Sequence, residues 1–315
     1  MPRLPFLAFR SLVKKPLRRT PAAIHRSYYS TMMRAARYYG KEDIRVEQVP
    51  QPSVKAGQVK VAPAFVGICG TDLHDGGFIG LSGSGGGLSE SVCVNATHVH
   101  PLPRDLPLEI GALVEPLSVS WHAMTAAPEI NPSSKVVILG GGPIGLAMIL
   151  CLKAKGVSEI ILSEVATSRQ NFARELGATR VVNPINENLN EIVLGLTDGK
   201  GADVVFDCAG VPMSIKSACE VVRPKGTVVN LAIWEKEIPF NPNWITMKES
   251  SYKSVLGYAH ADFQAVIANL ASGAIKPSQM ITRKIKLENI VDDGIKALIH
   301  DKNNQVKVLV DMSDK

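Results

Sequence analysis

The chain has 315 residues, 45% hydrophobic and 20% charged, an ordinary globular composition of about two domains that excludes a disordered chain, a collagen and a coiled coil. No apolar run approaches the roughly 18 residues of a membrane helix, and five cysteines without a Cys-x-x-Cys pair make neither a disulfide framework nor a sequence-local zinc knuckle. The net charge of +6 is concentrated at one end: residues 1–41 carry ten Lys and Arg and no acid, leaving 25 basic and 29 acidic residues beyond, so the body lacks the basic patch of a nucleic-acid binder.

In chain order, residues 1–32 are Arg-rich, contain hydroxyl residues and lack acids, the composition of a mitochondrial transit peptide. Phe6, Leu7, Phe9, Leu12 and Val13 form a short apolar face beside Arg10, Lys14 and Lys15, and cleavage is expected near residue 28. The alternatives are a disordered basic tail, or a start at Met32 or Met33 that leaves a cytoplasmic protein. From Arg34 the pattern changes. Residues 44–49 and 58–61 alternate apolar and polar, with Pro50, Pro52 and Gly57 between them, and read as a short antiparallel β region. Residues 80–87 are a glycine-serine loop, and residues 108–126 are an apolar stretch that suits a helix. After Pro132 strands and helices alternate, the signature of a parallel α/β sheet.

Residues 135–139 are a short β-branched run, a buried parallel strand. It leads into Gly140-Gly141-Gly142-Pro143-Ile144-Gly145 and then a helix over 146–155. Gly140 serves the tight turn, Gly142 admits a pyrophosphate to the backbone, and Gly145 lets the helix pack on the strand, with Pro143 and Ile144 opening that helix toward the anion. A second strand over 159–163 ends at Glu164, placed to accept hydrogen bonds from a ribose and to repel a 2′-phosphate, which favours NAD over NADP. Arg169 lies near enough to reach a phosphate. Residues 203–208 and 226–231 are further strands whose ends build the ligand crevice. Cys208 reads as a buried apolar residue rather than a nucleophile. Residues 261–272 read as a helix and 305–310 as a closing strand.

Three segments together, Gly67-Ile-Cys-Gly-Thr-Asp-Leu-His74, Leu113-Val-Glu-Pro-Leu-Ser-Val-Ser-Trp-His-Ala123 and Gly140-Gly-Gly-Pro-Ile-Gly-Leu146, resemble the zinc-containing medium-chain alcohol and polyol dehydrogenases. Val229-Asn-Leu-Ala-Ile-Trp-Glu-Lys236 with Phe240-Asn-Pro242, and the loop at 80–88, are most like the butanediol dehydrogenase branch, fungal members included. The resemblance implies a GroES-like β-barrel catalytic domain (33–127 and 275–315) around a Rossmann doubly wound parallel sheet (128–274), an α/β protein. It implies a catalytic zinc held by Cys69, by a His in a Gly-His-Glu motif and, directly or through water, by Glu115. Thr71 and His74 resemble the proton relay and Asp72 the carboxylate that orients the zinc-bound His. NAD would receive hydride from a vicinal diol, giving a hydroxyketone. The family pairs subunits through an edge strand of its Rossmann sheet, a part residues 254–257 suit unless they are an inner strand. A homodimer or tetramer follows, with a small-molecule diol or alcohol as substrate and neither nucleic acid nor membrane as partner.

The chain departs from the family after Asp75, where Gly76 and Gly77 follow at once. The segment with the Gly-His-Glu motif and the four cysteines of a structural zinc is missing, so the third ligand His is absent. A catalytic zinc takes three protein ligands and a water, and two do not suffice. His98 and His100, in a run reading as a barrel strand, and His122, on the helix after Trp121, read as structural. The domain is therefore truncated between 75 and 76, by a dropped exon-like block in the gene record or in a shortened chain; the surviving Thr71, His74 and Glu115 favour the first. Dehydrogenase activity is expected to be impaired in this chain. The alternatives are an inactive NAD(H)-binding relative and a zinc-free reductase, the latter having no use for Cys69 with Glu115.

Overall fold

The computed structural model describes residues 32–40, 43–69, 86–234, 236–301 and 303–313. The leader, Thr71, Asp72, His74 and the junction at 75–76 lie outside the described residues. The N-terminal half holds β1 (Met32–Gly40), β2 (Asp43–Pro50), β3 (Gln58–Val61), β4 (Phe65–Gly67) and β5 (Val92–Asn95), then α1 (Leu108–Gly111) and α2 (Val114–Ala126). The middle runs β6 (Lys135–Leu139), α3 (Pro143–Ala154), β7 (Glu159–Ser163), α4 (Thr167–Leu176), β8 (Arg180–Val182), α5 (Leu189–Leu196), β9 (Ala202–Asp207), α6 (Pro212–Val221), β10 (Val222–Asn230), α7 (Asn243–Thr246), β11 (Ser251–Ser254) and α8 (His260–Ala271). The chain returns through β12 (Ile281–Lys286), α9 (Lys296–His300) and β13 (Lys307–Asp311).

The middle forms the expected doubly wound sheet. Its order is β11-β10-β9-β6-β7-β8 and every pair is parallel. The strand direction of travel reverses between β6 and β9, which opens a crevice at their carboxyl ends. Residues 136–139 of β6 are buried because a parallel strand is covered on both faces. One cover is α2, α3 and α8, whose Leu117, Leu146, Ile149 and Val266 pack with Ile138 and Phe206. The other is α5 and α6, whose Val193 and Ala218 pack with Val137 and Val205.

The remaining strands make three small sheets, β1-β2, β3-β5 and β12-β13-β4. Ile68, Ile285, Val308 and Val310 form a core under the β12-β13-β4 sheet, with Ala36 and Ile44 of the β1-β2 pair and Val66 packed against it. The C-terminal return thus packs on the N-terminal segments. Residues 44–49 and 58–61 do form strands, but they do not pair with one another. β2 pairs with β1 and β3 with β5, both antiparallel.

Two further expectations are corrected. The stretch 108–126 is two helices, with the break at Ala112 and Leu113. Pro116 is the reason: it cannot donate to the carbonyl four residues back and its ring crowds that carbonyl, so it is tolerated only in a first turn. His98 and His100 are not on a strand. β5 ends at Asn95, whose Oδ1 accepts from the Thr97 N–H at 3.0 Å and turns residues 96–98 into a single 3₁₀ turn.

Candidate cofactor and metal site

The crevice is built by the glycine turn after β6. Gly140 has φ +98°, a left-handed value that glycine adopts without cost, and its N–H donates to the Ser163 carbonyl at 2.9 Å. A Cβ at Gly145 would overlap the Gly140 carbonyl oxygen, so α3 starts flush against the turn. A Cβ at Gly142 would meet nothing within 4 Å. The structure is therefore closed at Gly145 and open at Gly142. Gly142 caps α3, with Pro143 in its first turn. The first-turn amides of Ile144 and Gly145 have no intrahelical acceptor and carry the positive end of the helix dipole.

Glu164 ends β7 beside this turn and is 7% exposed. Its Oε2 accepts from the Gly141 N–H at 2.7 Å and its Oε1 from the Ala166 N–H at 2.8 Å, while Gln170 Nε2 donates to its backbone carbonyl at 2.8 Å. A side chain at Gly141 would press on the Glu164 Cγ, 3.0 Å from the Cβ position. The carboxylate is thus fixed over the glycine turn. Arg169 lies within the first turn of α4 and is partly buried.

Sequence reasoning missed Asp207, the fully buried end of β9. Its Oδ1 accepts from the Ala209 and Gly210 N–H groups at 3.0 and 3.2 Å, and its Oδ2 from Ser214 Oγ at 2.9 Å. Burial raises its pKa above the usual carboxylate range, and these hydrogen bonds oppose the rise. The turn it holds presses on the glycine turn: the Ala209 N and Cα lie 3.2 Å from the Gly140 Cβ position. An acid ending a Val-Val-Phe strand was the available signal. Cys208 next to it is partly buried, and desolvation together with the Asp207 charge pushes its thiol up, which agrees with an inert packing residue.

Cys69 is exposed just past β4, and Glu115 is exposed in the first turn of α2. The Tyr258 hydroxyl is raised by burial and by the Glu115 charge. Among the described residues no three His, Cys, Asp or Glu side chains come together to hold a metal ion. His122 is structural: its Nδ1 meets Asp262 Oδ2 at 2.8 Å, and the same carboxylate oxygen accepts from the Ala259 N–H at 2.9 Å at the start of α8. Trp234, Lys236 and Phe240 line an open cavity of about 520 Å³ with Ile215 and Tyr252 beside β11. No helix among the described residues is long and apolar enough to cross a membrane.

Residues 143–272 match the family model of the zinc-binding dehydrogenases. The (R,R)-butanediol dehydrogenase of Neisseria gonorrhoeae is 31% identical over 88% of this chain and 99% of its own. That of Saccharomyces cerevisiae is 37% identical over 74% of this chain and 63% of its own. The crystal structure of 2R,3R-butanediol dehydrogenase from Bacillus subtilis superimposes with a TM-score of 0.82 at 30% identity, covering 89% of this chain and 99% of that one. The Neisseria match extends over 354 positions, whereas 88% of 315 residues is about 277, so roughly 77 positions of the relative face no residue here.

Proposed function

The chain belongs to the zinc-binding medium-chain alcohol and polyol dehydrogenases, near their butanediol dehydrogenase branch, and on that premise we propose that it binds NAD to interconvert a vicinal diol and its hydroxyketone. The observation that carries the reading is the glycine turn, closed at Gly145 and open at Gly142 beside a fixed Glu164. NAD fits that shape. When bound it supplies the hydride acceptor. The opening at Gly142 would admit the pyrophosphate to the Ile144 and Gly145 amides, and Gly140 and Pro143 set the turn and the helix start. Glu164 would accept from the adenosine ribose hydroxyls and disfavour a 2′-phosphate, while Arg169 places a cation on α4. Residues 128–274 are the cofactor domain in this reading, and 33–127 with 275–315 the catalytic one.

The described residues do not fit the zinc. Cys69 and Glu115 are two donors where three are needed, and no step is assigned to the metal. The roughly 77 unmatched positions of the Neisseria relative support placing the third ligand in a segment this chain lacks. Diol turnover is therefore impaired in the chain as written, and cofactor binding is retained. A longer form with the segment between Asp75 and Gly76 would carry the full activity. The basic leader directs the protein to mitochondria, and copies associate into dimers or tetramers.

The test is NADH fluorescence titration of the chain as written, with butanediol-dependent NADH formation followed alongside. Saturable NADH binding with negligible diol turnover is the expected result. Absence of NADH binding overturns the reading, and full diol turnover overturns the impairment.

A further inference from the structure

Three of the seven histidines of this chain meet outside the cofactor crevice. His98 and His100 come from the segment after β5, and His260 opens α8, 160 residues beyond His100. His100 Nε2 and His260 Nδ1 are 3.1 Å apart. The His98 and His260 ring centroids are 5.7 Å apart, and those of His100 and His260 5.1 Å. Phe263 stacks on His100 at 4.8 Å and on Tyr258 at 5.5 Å, giving the cluster an apolar backing. His98 and His260 are exposed and His100 is partly so, which leaves an entry path from solvent. The nearest acid along α8, Asp262, is committed to His122, Thr125 and the Ala259 N–H.

We infer that His100 and His260, with His98 beside them, form a binding site for a divalent transition-metal ion of the nickel or copper class. Imidazole nitrogens bind such ions at about 2.0–2.1 Å. Two of them on one ion are then about 3.0 Å apart in adjacent octahedral positions and about 3.4 Å apart in tetrahedral ones. The observed 3.1 Å lies in that interval, so an ion seated beside the N–N line replaces the shared proton once each ring turns its lone pair off that line by about 40°. The described residues offer two converging imidazoles rather than three donors, and water completes the coordination. The ion would tie the segment after β5 to the start of α8, two parts of the chain that otherwise meet here through ring contacts and the imidazole hydrogen bond. The site uses none of the residues assigned to the cofactor or to the diol chemistry.

The test uses the full chain and Ni²⁺ as the probe. Calorimetric titration at about pH 7.5 is expected to show saturable Ni²⁺ binding. His100→Gln and His260→Gln are each expected to weaken it by about tenfold or more, and His300→Gln to leave it unchanged. Ni²⁺ binding that survives both cluster substitutions overturns the site, as does a chain that binds no Ni²⁺. In the unsubstituted chain, paramagnetic Ni²⁺ should broaden the side-chain NMR signals of His98, His100 and His260 before those of His122 and His300. The reverse order identifies the 3.1 Å contact as a hydrogen bond alone. NADH binding is measured on the same samples, so loss of the metal site and loss of the cofactor reading are told apart.

Discussion

Gly142 and Gly145 stand three residues apart and meet opposite constraints. Gly145 has no room for a methyl group, because the Gly140 carbonyl occupies the place. Gly142 has room, and its φ of −72° and ψ of −179° suit any residue. Stability and binding should therefore separate at these two positions. Gly145→Ala is expected to cost about 1–3 kcal/mol through overpacking and to lose NADH binding with the displaced helix. Gly142→Ala should leave stability within about 0.5 kcal/mol while weakening NADH, since the methyl fills the space the pyrophosphate needs. Urea midpoints and NADH titration of both variants check this. A Gly142→Ala protein that binds NADH as the parent does would remove the pyrophosphate from this turn. Glu164 adds a fixed charge to the same opening, held by two backbone amides rather than by a cation.

At the scale of elements, the crevice depends on how short connections are held. The turn after β9 hangs on Asp207, whose carboxylate takes two amides and one hydroxyl in the interior. Its folded pKa is raised by burial above the unfolded value. The stability linked to it is then fully present below the unfolded pKa, about 3.9, and is lost as pH rises through the folded value. Asp207→Asn keeps an acceptor for the Ala209 and Gly210 amides and carries no charge. Its stability relative to the parent should improve as the pH goes from about 4 to about 7. Urea unfolding at the two pH values decides it, and a difference that does not change with pH would refute the burial cost. The break between α1 and α2 has a similarly local cause in Pro116. The tie between α2 and α8 does not: His122 reaches Asp262 across 140 residues.

At the scale of the whole molecule, the sheet ends at β11, which among the described residues has a ladder only with β10. The Val255 N–H donates inward to the Asn230 carbonyl at 3.1 Å. Amides alternate along a strand, so those of Tyr252 and Ser254 face outward, where a second copy can pair. Ser254→Pro removes one outward donor and no inward one. It is expected to shift the chain from dimer toward monomer in sedimentation velocity with little loss of thermal stability. A parent chain that sediments as a monomer would refute pairing through this edge. The other half of the molecule holds three small sheets, two of which share one apolar core, and the match to the Neisseria relative leaves roughly 77 positions unfilled in this chain.

The Rossmann part was legible because its signals are local. β-branched runs at 135–139 and 159–163, a glycine turn and an acid at the next strand end each follow from a few consecutive residues, and the helices between them force parallel pairing. The family motifs around Cys69, Glu115 and Gly140 were legible for the same reason. Pairing among the small sheets was not, because an alternating strand states which face is buried and not which strand lies beside it. β1 was hidden further by Arg34, which breaks the apolar pattern and is satisfied by Glu90 and Glu288 from distant segments. Asp207 and His122 look like ordinary polar residues until the fold supplies their partners. The sequence by itself therefore determined the parallel sheet and its glycine turn. Only the tertiary structure decided the strand partners, the buried carboxylate behind the turn and the meeting of His98, His100 and His260, since each depends on contacts between residues far apart in the chain.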